Sequence, residues 1–103
     1  MTEQQQATQP LEESTVPRRS SRVAARVVEG VALVVVLDQR EVHRLDEVGS
    51  RIWQLCDGRS VGDICDVLVD EFEVERDRAL GDLQRFLRAL ADKGALSLGE
   101  SPA

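Results

Sequence analysis

Apolar positions change period once along this chain, close to residue 46. From Arg22 to Val28, Val23, Ala25 and Val27 alternate with Arg22, Ala24 and Arg26, which predicts a strand with one apolar and one mixed face. Glu29-Gly30 predicts a tight turn, because glycine tolerates a positive φ. Val31 to Leu37 is β-branched and apolar at both parities, the pattern of a central strand. Asp38-Gln39-Arg40 predicts a second turn, and Glu41 to Leu45 a short third strand at the sheet edge. The far side of that strand has no partner in the sequence.

Beyond Leu45 the period becomes helical. Asp46 is placed to cap a first helix, its carboxylate accepting from otherwise unpaired N–H groups. Val48, Ile52 and Leu55 form the expected inward stripe with Trp53 beside it, and Asp57-Gly58 ends the helix. Ser60 begins a second helix, with Asp63 three residues on as in a capping box and Ile64, Leu68 and Phe72 as its buried stripe. A third helix is predicted from about Arg76 to Lys93. Leu80, Leu83, Leu87 and Leu90 form its stripe, while Ala79 and Phe86 make the apolar face wider than one contact requires. Gly94 stops it, and Ala95 to Leu98 reads as a short extended segment. Three strands followed by three helices define an α+β, winged-helix-like architecture with a three-stranded antiparallel sheet.

The composition sets the limits of that domain. Residues 1–20, with Gln4, Gln5, Gln6, Pro10 and Pro17, have few large apolar side chains and are expected to form a disordered tail. Residues 21–98 then form one domain and 99–103 a short C-terminal tail. The longest apolar run, Val31 to Leu37, is far short of the ~20 residues that span a bilayer, and no secretory signal is apparent, so no membrane role and a cytoplasmic location are expected. The net charge of -6 is uneven: Asp46 to Glu73 holds eight acids against Arg51 and Arg59. An acidic domain without a concentrated basic face is a poor match for nucleic acid, where phosphate neutralisation supplies most non-specific affinity.

Catalytic chemistry has little to stand on. His43 is the single histidine, and Cys56 and Cys65 match no common zinc spacing, so both cysteines read as core residues and His43 as a surface residue of the edge strand. Trp53 reads as closing the edge of the core, with an interface anchor as the alternative. Asp63, Asp66 and Asp70 share an outer helix face without a ligand loop, the pattern of a solvated surface. With no phosphate-cradling loop or nucleophile set, the chain reads as a non-enzyme without cofactor or metal. What remains is the short edge strand and the apolar surplus of the third helix: Glu41 and Arg44 either block the edge with charge or, with Phe86 and Leu90 near it, the edge lets an extended peptide add as a strand.

The series Leu45-Asp46-Glu47 with Gly49, Ile52-Trp53, Asp57-Gly58, then Val61, Ile64 and Leu68, then Asp82-Leu83, Phe86-Leu87, Leu90 and Gly94-Ala95-Leu96, resembles the PqqD-like family of precursor-peptide recognition elements. The resemblance runs from about Arg22 to Leu96 and implies a peptide-binding adaptor for the leader of a ribosomally made precursor. It further implies a modifying enzyme as partner, such as a radical S-adenosylmethionine protein, a cyclodehydratase or a leader peptidase. Carried onto this chain, the groove has Glu41, Val42, His43, Arg44 and Leu45 on one wall and Asp82, Arg85, Phe86 and Leu90 on the other. Phe86 is its expected apolar anchor, and Arg85 and Arg88 its partners for acidic leader residues. The competing readings are a winged-helix DNA-binding regulator, which the acids Asp77, Asp82 and Asp92 on the third helix oppose, and a docking subunit that binds no leader.

Overall fold

The computed structural model describes residues 11–98 of the chain. Its elements are β1 (Arg18–Arg19), β2 (Val23–Val28), β3 (Val31–Val36), β4 (Glu41–Arg44), α1 (Glu47–Leu55), α2 (Val61–Phe72), α3 (Arg76–Asp92) and β5 (Leu96–Ser97). The α+β architecture is as the patterning predicts: an antiparallel sheet in the order β2-β3-β4, then three helices. Glu29 (φ 54°) and Gly30 (φ 80°) both lie in the left-handed region, which a two-residue hairpin turn between right-twisted strands requires.

Alternation along β3 decides where the core sits. Ala32, Val34 and Val36 are buried against the helices, while Val31, Leu33 and Val35 look outward and stay half-exposed. The register pairs Val35 with Ala24 and Val42, and Leu33 with Arg26 and Arg44, so the outward face is apolar at its centre with arginines beside it. Only one face of the apolar central strand is therefore covered. In α3 the buried line is Ala79, Leu83, Leu87 and Leu90, with Leu80 and Phe86 half-buried beside it, so Ala79 takes the place expected for Leu80. Val48, expected inside, is 41% exposed, whereas Trp53 is 2% exposed and belongs to the core.

The expected tail does not begin where composition suggests. Residues 1–10 and 99–103 lie outside the described residues, but 11–20 pack on the domain. Pro17 is fully buried, β1 pairs antiparallel with β5, and Ser20 N–H donates to the Ala95 carbonyl at 3.0 Å. Further back, Val61 N–H donates to Thr15 O (2.7 Å) and Gly62 N–H to Glu13 O (2.9 Å). Those are two of the N–H groups that a helix start leaves without an internal partner, so the strap caps α2 with main-chain carbonyls. Low apolar content hid this because, beside the apolar contacts of Leu11 and Pro17, the strap is held by main-chain bonds and charges.

Candidate functional site

β4 lies at the sheet edge, bonded to β3 on one side and to no other described strand. The hydrogen-bond phase follows from two flanking bonds. Leu45 N–H donates to Ala32 O (2.9 Å), which turns the main-chain groups of Glu41, His43 and Leu45 towards β3. On the other side, Leu37 N–H donates to Arg22 O (2.9 Å), so β3 alternates between its two neighbours as a central strand must. The N–H and C=O groups of Val42 and Arg44 consequently face away from the sheet. Their side chains lie on its outer face, where Val42 is 65% exposed.

One buried hydroxyl fixes the end of this strand. Ser50, fully buried in the first turn of α1, accepts from Ala32 N–H (2.8 Å) and donates to Leu45 O (3.1 Å). It stands in for the main-chain bond that β3 and β4 would otherwise make there. Asp46 caps α1 as expected, accepting from Gly49 N–H at 2.7 Å. A Cβ at Gly49 would lie 2.8 Å from Phe86 Cε1 and 3.0 Å from Asp46 Oδ1, so the missing side chain is what seats the Phe86 ring against α1. Gly94, past the end of α3, lies near Val36, and Phe86, further back along that helix, rests against α1 just past the Leu45 end of β4.

The nine site residues expected from the sequence therefore separate. Val42 and Arg44 carry the free edge, and Phe86 is half-buried where β4 meets α1. His43 is not a surface residue: its side chain points inward and is 19% exposed, with Nε2 3.4 Å from Glu41 Oε1 and without a hydrogen-bond partner among the described residues. Leu45 spends both main-chain groups internally and its side chain is buried, and Leu90 is likewise core. Asp82 and Arg85 pair with each other on the exposed side of α3. Sequence reasoning missed Gly49 as a packing position and Ser50 altogether; a glycine in the first turn of an otherwise good helix was the available signal for the former.

Both cysteines lie in the core. Burial pushes the Cys56 thiol up to about 12 and raises that of Cys65, so neither supplies a thiolate near neutral pH. Among the described residues no group of His, Cys, Asp or Glu side chains is arranged to hold a metal ion. No helix among them is long and apolar enough to cross a membrane.

A small α+β domain whose edge strand has no second partner among the described strands has the frame of a peptide-recognition module. The family model for coenzyme PQQ synthesis protein D (PqqD) matches residues 34–96, and the chain belongs to that family. It is 41% identical over 64 residues to the PqqA binding protein of Bradyrhizobium diazoefficiens, an alignment covering 61% of this chain and 62% of that protein. The chain thus spans somewhat under two thirds of that relative. Among solved structures it resembles TbiB1, determined in complex with the TbiA(beta) leader peptide, at 34% identity and a TM-score of 0.76, covering 82% of this chain and 99% of TbiB1. The PqqD portion of Methylobacterium extorquens PqqCD shares the fold at 24% identity and a TM-score of 0.69, over 84% of this chain and 94% of that one.

Proposed function

We propose that this chain is a non-catalytic adaptor that captures the leader of a ribosomally made precursor peptide as an added strand and presents it to a modifying enzyme. The observation that carries this reading is the outer edge of β4, where the main-chain groups of Val42 and Arg44 face outward, with the half-buried ring of Phe86 seated on α1 past the Leu45 end of the strand. An edge of this kind supplies affinity through main-chain bonds and leaves specificity to neighbouring side chains. The likeness to TbiB1, solved with a leader peptide, and to a protein described as binding PqqA supports the same ligand class. Glu41, His43 and Leu45 shape the wall of the groove, and Asp82 and Arg85 flank its mouth as an exposed pair. The partner is a modifying enzyme, such as a radical S-adenosylmethionine protein, a cyclodehydratase or a leader peptidase. The adaptor works with it in the cytoplasm and needs no cofactor of its own.

The test is an amide-shift titration of the labelled full chain with the TbiA(beta) leader and, separately, with PqqA. Saturable shifts along Glu41–Arg44 and near Phe86 are expected with at least one of them. Phe86→Ala should weaken that binding by about 1–3 kcal/mol while the amide spectrum stays folded. Silence towards both peptides, with salt-sensitive shifts on duplex DNA, would replace the adaptor by a regulator.

A further inference from the structure

One turn before Phe86, α3 borders a cleft of about 130 Å³ that the strand groove does not include. Val48 and Ile52 of α1, Phe72 and Val74 at the end of α2, and Ala79 and Leu83 of α3 line it. Its surface is apolar except at the rim, where Arg78 and Asp82 stand. Two of its aliphatic side chains are poorly covered: Val48 is 41% and Val74 39% exposed. Val48 is the residue expected inside that the fold leaves at the surface. At about 130 Å³ and apolar except at its rim, the cleft has room for one aliphatic or small aromatic side chain.

The geometry points to a second subsite of the peptide-binding surface, in which one apolar side chain of the bound leader enters this cleft after the chain has passed the Leu45 end of β4. The inference rests on the adaptor reading above. Continuity selects the occupant. Asp82 borders the cleft and stands one helical turn from Phe86, while Val48 is the neighbour of Gly49, against which that ring rests. A peptide leaving the β4 edge over Phe86 therefore arrives at the mouth of the cleft. Charge adds a preference. Asp82 is already paired with Arg85, whereas Arg78 is unpaired among the described residues, so the incoming apolar residue should have an acidic neighbour. In an antiparallel addition that residue lies on the N-terminal side of the paired stretch, in a parallel one on the C-terminal side.

The experiment uses the full chain with labelled Ile, Leu and Val methyls and backbone amides, titrated with the TbiA(beta) leader and with PqqA. Methyl shifts at Val48, Ile52, Val74 and Leu83 that saturate together with the β4 amides are the expected result. Shifts in β4 with unmoved cleft methyls would overturn the subsite and leave the adaptor reading intact. Unmoved methyls and amides with both peptides would overturn both. Cleft methyls that shift on raising the protein concentration alone would assign the cleft to a second copy of the chain. Ala79→Leu, which fills the cleft, should weaken binding at least ten-fold. Val74→Asp, at a 39% exposed mouth position outside the core cluster, should do the same, and unchanged affinity in a folded Val74→Asp protein would refute the subsite.

Discussion

Ser50 shows how much one side chain can decide. Its hydroxyl answers two main-chain groups at once, the N–H of Ala32 and the carbonyl of Leu45, inside a region from which water is excluded. Without it both groups would be buried without partners, each at a penalty of about 1–3 kcal/mol. Ser50→Ala should therefore lower the unfolding free energy by about 2–3 kcal/mol, far more than a surface serine would, as read by urea denaturation. A change below about 0.5 kcal/mol would mean that a water molecule or a local shift satisfies both groups. Nothing in the sequence singles this serine out. Its role depends on where three separate segments meet, and no local pattern records a meeting of β3, the end of β4 and α1. Asp46 and Ser60 contrast with it: each caps its own helix, accepting from the N–H three residues on, so their roles could be read from spacing alone.

At the scale of the element, β4 matters for its phase. Expecting an open edge over Glu41 to Leu45 follows from the order of strands, but which residues face outward follows from the bonds that flank them. Leu45 is tied to Ala32, and that places Val42 and Arg44 on the free side. A proline belongs in a strand only where its missing N–H would have faced solvent. Val42→Pro should accordingly leave β3–β4 pairing intact and remove a donor needed for strand addition. Binding of a leader peptide should fall by about 1–3 kcal/mol, the scale of one lost hydrogen bond plus local strain, with the melting temperature little changed. Calorimetric titration against a thermal melt of the same variant separates the two effects. Retained affinity would place recognition on α3 and not on the strand edge. The helical wall was less legible than the strand: stripes of leucines set the core of α3, yet the buried line runs through Ala79, Leu83, Leu87 and Leu90, with Leu80 half-buried beside it. Phe86, on the flank of that line, stays half-buried against Gly49 of α1.

Taken as a whole, the molecule is tied together by a strap that composition assigned to a tail. Glu13 is its charged contact: Arg76 donates to it at 2.9 Å and to Asp66 at 3.1 Å, joining the strap to both α2 and α3. Leu11 packs on the core, and its carbonyl accepts from Gln84 Nε2 at 2.9 Å. Farther along, the Arg19 guanidinium lies 4.9 Å over the Trp53 ring and donates to the Trp53 carbonyl at 2.6 Å. The hydrogen bond from Arg76, and then its charge, hold the Glu13 carboxyl below the ordinary glutamate value. A carboxylate lowered on folding contributes stability above its unfolded value of about 4.3, and the contribution disappears as pH falls through the lower folded value. The strap should therefore loosen in acid before the core does. Its reporters are the N–H groups of Val61 and Gly62, which donate to Thr15 and Glu13. Their exchange protection factors should fall relative to those of β3 as pH drops below the ordinary glutamate value of about 4.3, where the lowered carboxyl begins to take up its proton. In Glu13→Gln the same amides should start less protected and show no such step. A step of equal size in the variant would trace the loosening to Asp38 or Glu71, whose carboxyls are lowered by Arg22 and Arg51, and would remove the Glu13 pair from what holds the strap.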